Sequence, residues 1–261
     1  MKYIKLFIRQ CKFSIMSAAM YRVNFWLMLI QSLINSFMSI LCIEFIYSSV
    51  ESIAGWNKNE MIILICTSQI VNQIYRGVIH WNQNRFVASV GDGSFDRMLL
   101  RPVSVFFQAN TGLVDISGIL SLVGPLIILL IQIVRLNVKI DLLQIVLYVL
   151  FLFNGVIILS SFMFLLYSFA FLFIKVDGLT NIYYFIMDIA DKPKEMFSRE
   201  FLFGFIFIIP AIPLANAPAS LLLGKDNLSF IFFCLFTGLI LPIAAYLSLR
   251  AGRKRYTSAS S

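Results

Sequence analysis

A run of apolar residues, 142–174, contains no charged side chain over 33 positions and sets the solvent in which this chain must fold. As a straight α-helix the run would be about 50 Å long, whereas the hydrocarbon core of a bilayer is about 30 Å thick. Soluble proteins carry about 25% charged residues, and this chain carries 13%. The pattern predicts an all-α membrane protein that forms a single domain, 1–261.

Other apolar runs predict further membrane crossings. The first lies in Val23–Val50, where Glu44 is the only charge. The third lies within Val103–Val134, which places Asp115 inside the membrane. A charge at the bilayer centre costs about 2.5–3.5 kcal/mol on insertion scales, so both acids are candidates for a translocation pathway. The alternatives are a position at the membrane edge for Glu44 and an interhelical pair for Asp115. The second, fourth and last crossings are predicted in Met61–Trp81, Leu142–Ile174 and Asn227–Leu249.

Two late segments, 179–192 and 197–223, compete for the fifth crossing. Hydropathy favours the later one, but Pro210, Pro213 and Pro218 interrupt it. Non-helical backbone at membrane depth survives only where protein buries it, so the prolines favour a re-entrant pair there. Basic residues cluster near both ends of the sequence, and positive charge stays on the cytoplasmic side. An even number of crossings is therefore favoured, with both termini in the cytoplasm.

Residues 1–22 are predicted to form an amphipathic helix at the membrane surface. Basic residues recur at intervals of three and four on one face, and apolar residues occupy another face. Basic residues beside apolar runs account for the net charge of +8, because they suit anionic lipid headgroups. Membrane lipids are thus expected partners, and nucleic acid is not. The basic face consists of Lys2, Lys5, Arg9 and Lys12.

The longest polar interruption, 82–102, is predicted to be a cytoplasmic loop that carries a short helix. A Gly-Asp-Gly-Ser sequence at 91–94 indicates a turn, and Phe95 and Leu99 then lie one helical turn apart. Such a helix offers an apolar knob to a groove on a partner protein. The alternative is an ordinary solvated loop. The candidate docking residues are Gly91, Asp92, Gly93, Phe95, Asp96, Arg97, Met98, Leu99, Leu100, Arg101 and Pro102.

The sequence contains no pattern for an ATP site of its own. Lys225 follows Gly224 but is followed by Asp226, where a phosphate-binding loop needs serine or threonine. The cysteines lie singly and His80 is the only histidine, so no metal site is expected. The chain is therefore expected not to be an enzyme and to hold no cofactor.

Three segments resemble the membrane-spanning permease subunits of bacterial ABC transporters of the type 2 exporter class, in a drug-export-like branch. Residues 93–102 read Gly-Ser-Phe-Asp-Arg-Met-Leu-Leu-Arg-Pro and resemble the signature G-x-(L/F)-D-x-x-L-L-R-P. Residues 255–260 resemble the tail R-Y-x-S-A-S. The paired proline segment of that branch is resembled by Ile209-Pro210, Ala217-Pro218-Ala219 and Leu222-Leu223-Gly224.

The resemblance implies six crossings, an N-terminal elbow helix, a coupling helix between the second and third crossings, and re-entrant helices before the last. It favours 179–192 as the fifth crossing and 197–223 as the re-entrant segment. It also implies export across a bacterial plasma membrane by two permease subunits, alike or homologous. A separate dimer of ABC-type ATP-binding subunits would bind ATP and Mg²⁺. A membrane-embedded lipid-modifying enzyme and a passive channel or scaffold are the alternatives, and drug, peptide and lipid-like cargo all remain open.

Overall fold

The structure is a computed structural model that describes residues 2–20, 22–136, 141–171, 178–225 and 227–256. Within these ranges it contains helices and no β-strand, so the all-α prediction is confirmed. Five helical segments of the described chain are long and apolar enough to cross a membrane, and a bent pair of helices makes a sixth if it is counted as one crossing. The five are Trp26–Tyr47, Lys58–Gly91, Ile116–Arg135, Leu142–Phe171 and Leu228–Arg255.

Two helices form the N-terminal part. Helix α1, Lys2–Ala19, covers the predicted amphipathic helix, and α2, Arg22–Tyr47, contains the first crossing. The Lys2 Nζ atom donates a hydrogen bond to the Pro102 carbonyl oxygen at 2.9 Å. Helix α1 therefore lies against residues 82–102, which we call the coupling segment. The position of α1 at a membrane surface stays a prediction.

The second crossing is longer than its apolar pattern indicates. Helix α3, Lys58–Tyr75, continues through one π-helical turn, Arg76–His80, into α4, Trp81–Gly91. The prediction of a loop over 82–102 is therefore wrong for its first ten residues, which continue the helix.

The polar side chains of α4 explain this difference, because the helix buries them against partners. Asn82 and Gln83 are 4% and 0% exposed. The Gln83 side chain donates to Asn110 Oδ1 and to the Ser160 carbonyl oxygen, both at 2.8 Å. Satisfied buried amides of this kind are compatible with a helix inside the bundle. Their polarity alone had indicated a solvated loop.

Four short helices follow before the next long one. The first two precede the third crossing, and the last two form it with a break at Ser121 and Leu122. Pro125 has no N–H for the Ser121 carbonyl oxygen, which accepts a hydrogen bond from Ser32 Oγ of α2 at 2.7 Å instead. The four are α5, Phe95–Leu99; α6, Val105–Asn110; α7, Ile116–Leu120; and α8, Val123–Arg135.

The third crossing starts later than predicted. The chain breaks after Asn110, and within Val103–Val134 the crossing begins only at α7. Asp115 is therefore not inside a membrane helix, and that placement was wrong. It caps the start of α7, where its Oδ1 atom accepts a hydrogen bond from Ser117 N at 3.0 Å. A carboxylate is stabilised there by free backbone N–H groups and by the helix dipole.

The second half of the chain contains two long helices with short ones between them. The end of the predicted fourth crossing, up to Ile174, lies outside the described residues. The helices are α9, Leu142–Tyr167, with a 3-10 turn at Ser168–Phe171; α10, Leu179–Ala190, with a 3-10 turn at Lys194–Met196; α11, Arg199–Phe207; α12, Ile212–Leu223; and α13, Leu228–Arg255.

The proline-rich segment folds as two helices with a sharp bend. Helices α11 and α12 meet at 105°. Pro210 lies in the break between them, Pro213 in the first turn of α12, and Pro218 inside α12. Proline removes a backbone donor and clashes with the preceding turn, which accounts for the break.

Both ends of this bent pair lie beside Trp56, which is 2% exposed and precedes α3. Before the pair, Glu195 Oε2 accepts a hydrogen bond from Trp56 Nε1 at 2.8 Å. After the pair, Lys225 Nζ lies 5.2 Å from the centroid of the Trp56 ring. The segment thus leaves and returns to one end of the helix bundle. We call this the opposite end, and the end that carries α5 the coupling end.

Helix α10 has 12 residues and a length of about 18 Å, which is less than the hydrocarbon thickness. It nevertheless lies along the second crossing. The Tyr183 ring stacks on His80 with centroids 5.5 Å apart, and the chain then reaches Trp56 through Glu195. Residues 179–195 therefore extend along most of the length between the π-helical turn and the start of α3.

The non-helical backbone that follows α10 is satisfied by Asn216 of α12, which is 0% exposed. Its Nδ2 atom donates to the Lys192 carbonyl oxygen at 2.9 Å, and its Oδ1 atom accepts from Lys194 N at 2.8 Å. One buried side chain therefore replaces the two backbone partners that a continuous helix would provide.

A partly buried ion pair joins the start of α3 to the loop after α12. Lys225 Nζ lies 2.5 Å from Glu60 Oε2, and the two side chains are 35% and 12% exposed. We expect Lys225→Met to lower the free energy of unfolding by about 1–3 kcal/mol, because Glu60 would lose its counter-charge in a partly buried position. The measurement is thermal and denaturant unfolding of the purified protein in detergent.

Lys58→Met is the matched control. Lys58 pairs with Glu44 at 3.1 Å, but both side chains are more than 40% exposed. Exposed pairs contribute about 0–1 kcal/mol, so this variant should unfold nearly as the parent does. Equal losses in both variants would contradict the role given to the partly buried pair between Lys225 and Glu60.

Candidate coupling site

The turn before α5 has the geometry that its sequence predicts. Gly93 adopts φ +76°, which favours glycine. The Asp92 Oδ1 atom accepts a hydrogen bond from Ser94 N at 2.8 Å, and this bond lowers the pKa of the exposed Asp92 carboxyl. The turn reverses the chain after α4 and starts α5 at Phe95.

Phe95 faces the interior, so the prediction that it forms an exposed knob with Leu99 was wrong. Its side chain is 0% exposed. Its ring lies edge-on to Phe86, Phe171 and Tyr256, with centroid distances of 5.9, 5.3 and 4.9 Å. The apolar surface that α5 offers to a partner comes instead from Leu100, which is 84% exposed, and Leu99, which is 39% exposed.

The residues around Phe95 form an aromatic cluster that ties α5 to three membrane crossings. Phe86 belongs to α4, Phe164 to α9, and Tyr256 follows α13. These rings pack edge-on or tilted, with centroids 4.9–6.2 Å apart. The aromatic quadrupole favours this arrangement. A displacement of α5 would therefore act on the second, fourth and last crossings together. The cluster consists of Phe86, Phe95, Phe106, Phe164, Phe171 and Tyr256.

Sequence reasoning missed this cluster. Its members come from five separate segments of the chain, and no spacing rule connects them. One signal was present, because Tyr256 belongs to the tail motif that begins at Arg255. Its position against Phe95 gives that motif a structural role. The rest of the motif, 257–260, lies outside the described residues.

The other charged candidates lie apart. Glu44 pairs with Lys58 at the opposite end of the bundle, and its position at a membrane edge stays a prediction. Asp115 lies toward the coupling end, where its Oδ2 atom accepts a hydrogen bond from Trp81 Nε1 at 3.2 Å. The structure does not bring the two acids together, and a role for either in translocation stays a prediction.

Pro218 contributes to a tight contact between α12 and α9. Pro218 cannot donate to the Leu214 carbonyl oxygen, and Gly155 of α9 approaches that oxygen closely. A Cβ atom at position 155 would lie 2.7 Å from it. Helix α12 is thus held deep in the bundle by backbone contact with α9.

The chain matches a known protein family. The model of a family described as ABC-2 family transporter protein matches residues 33–260. No curated protein and no solved structure matches the chain. The matched range includes the coupling segment, the bent pair and the last crossing.

Proposed function

The chain belongs to the ABC-2 family of transporter proteins, and on that basis we propose that it is the permease subunit of an ATP-driven exporter. Two permease subunits, identical or homologous, enclose the translocation pathway in a bacterial plasma membrane. A separate dimer of ABC-type subunits binds ATP and Mg²⁺ and drives the permeases between inward-open and outward-open states. The chain itself is a multi-pass membrane transport subunit.

This proposal rests on the two surfaces of α5, one exposed and one buried in the aromatic cluster. Its outer surface exposes Leu99 and Leu100, which suit a groove on the ATP-binding subunit. Its inner surface is fixed by Phe95 in the aromatic cluster. A movement of the ATP-binding subunit against the outer surface of α5 would therefore displace the membrane crossings, because Phe95 packs α5 against them.

The chain path supports six crossings in this permease. The bent pair begins and ends beside Trp56, which supports a re-entrant segment over 197–223. Helix α9 leads to the coupling end and Glu195 lies at the opposite end, which supports a crossing by 179–192. Six crossings return Arg255 to the side of α1, in agreement with the distribution of positive charge.

The test replaces Leu100 by aspartate. We expect Leu100→Asp to lower copurification with the cognate ATP-binding subunit and permease-dependent ATP hydrolysis at least ten-fold, because a charge replaces an apolar contact. The permease itself should unfold at the parental temperature, since the side chain is 84% exposed.

Leu228→Asp is the matched control. Leu228 is 83% exposed, but it lies at the opposite end, in the first turn of α13. This variant should keep both the partner and the hydrolysis. Equal loss in the two variants, or nucleotide-independent flux by the permease alone in vesicles, would contradict the proposal and support a passive channel.

A further inference from the structure

Two neighbouring cavities lie between α1, α4 and the chain around α6 and α7. The first has a volume of about 470 Å³ and a largely apolar wall that includes Phe13, Leu113 and Leu120. The second has a volume of about 400 Å³ and a largely polar wall. Arg85 of α4 contributes to both walls, so the cavities adjoin at its side chain.

The order of the two cavities follows the direction of the bundle. Along α4, Trp81 lines the apolar cavity and Ser89, which is closer to α5, lines the polar one. The same order holds along α1, where Ala18 lines the apolar cavity and Gln10 the polar one. The combined space is therefore polar near the coupling end and apolar farther from that end, along the length of α4 and α1.

The polar cavity is positively charged. Arg85, Arg97 and Arg101 line it, and Asp92 is the only acidic residue in its wall. Among the described residues, none of these arginines forms an ion pair. Arginine is suited to phosphate because its guanidinium group donates hydrogen bonds in a planar fork.

We propose that the two cavities bind one anionic phospholipid, with its phosphate among the three arginines and an acyl chain in the apolar cavity. A ligand with both parts matches the change of polarity at Arg85. The lipid joins α1 to the coupling segment and adds to the hydrogen bond from Lys2 to Pro102. Lipid binding requires no ATP-binding subunit. It can therefore be tested separately from the proposed transport function.

The test uses purified, delipidated full-length protein in a non-ionic detergent. Native mass spectrometry and thermal unfolding are measured with dioleoyl phosphatidylglycerol, dioleoyl phosphatidylcholine and inorganic phosphate. We expect one phosphatidylglycerol adduct and a raised unfolding temperature, with binding of phosphatidylcholine at least ten-fold weaker. Inorganic phosphate alone should leave the unfolding temperature unchanged, because it lacks the acyl chain.

Three variants locate the site. Arg85→Gln should weaken phosphatidylglycerol binding about ten-fold. Ser17→Phe, which narrows the apolar cavity, should weaken it as well. Arg253→Gln is the control, because it removes the same charge from a separate basic surface formed with Arg250 and Lys254. It should leave binding unchanged.

Several outcomes overturn the lipid site. Equal binding of phosphatidylcholine would remove the role of the arginines. If inorganic phosphate raises the unfolding temperature and Arg85→Gln abolishes that increase, the site binds soluble phosphate instead. Equal weakening by Arg253→Gln would show general attraction between anionic lipid and a basic protein. The unfolding temperature of each variant without lipid distinguishes loss of binding from loss of folding.

Discussion

Phe95→Ala is expected to lower the free energy of unfolding by about 3–5 kcal/mol, the range observed when a buried aromatic side chain is truncated. Phe95 is 0% exposed and contacts Phe86, Phe171 and Tyr256. The substitution leaves a void where α5 meets the last crossing. Permease-dependent ATP hydrolysis should fall as well, because α5 loses its attachment to the bundle.

Two further variants separate packing from coupling. Phe203→Ala makes the same truncation where the ring is 60% exposed and should change the free energy of unfolding little. Phe95→Leu should recover part of the stability, because it fills much of the cavity. Unfolding in detergent and ATP hydrolysis with the partner subunit are the measurements. A Phe95→Ala variant as stable as Phe203→Ala would show that the aromatic cluster does not fix α5.

Gly118→Leu is expected to destabilise the third crossing strongly. Gly118 of α7 packs directly on Gly77 in the π-helical turn, and a Cβ atom at position 118 would lie 2.7 Å from Gly77 Cα. The Asp115 N–H also donates to the Gly77 carbonyl oxygen at 2.7 Å, so neither backbone can move away without breaking that bond. We expect a loss at the upper end of the range of about 1–3 kcal/mol for overpacked sites.

Gly204→Leu is the matched control for Gly118→Leu. Gly204 lies inside α11, and a Cβ atom there would have no neighbour within 4 Å. Removing a glycine from a helix stabilises it by about 0.5–1 kcal/mol, so this variant should be at least as stable as the parent. Yield of folded protein and unfolding temperature are the measurements. A tolerated Gly118→Leu would contradict the close contact between α7 and the second crossing.

Parts of the coupling site were predictable because they depend on neighbouring residues. The turn at 91–94 follows from its glycines, and the exposure of Leu99 agrees with its place in the predicted apolar knob. The inward direction of Phe95 was not predictable in this way. It depends on rings from α4, α9 and the end of α13, which only the folded bundle brings to one place.

The same distinction applies to the polar residues. Gln83 and Asp115 were interpreted from their chemistry alone, one as part of a loop and the other as a charge inside a membrane helix. Gln83 is instead satisfied by Asn110 and Ser160 within a helix, and Asp115 caps one. Polarity indicates that a partner is needed, but it does not indicate whether water or protein supplies that partner.

The sequence by itself determined that this is an all-α membrane protein, because the length and apolarity of each crossing are local properties of the chain. Local patterns left open which of two late segments crosses, because hydropathy favoured 197–223 and the prolines within that segment favoured 179–192. The tertiary structure bears on that choice through Trp56, which contacts Glu195, 139 positions away, and also Lys225. These contacts support our proposal that 179–192 crosses and 197–223 is re-entrant. Contacts over such distances in the sequence depend on how the helices pack, which no local pattern specifies.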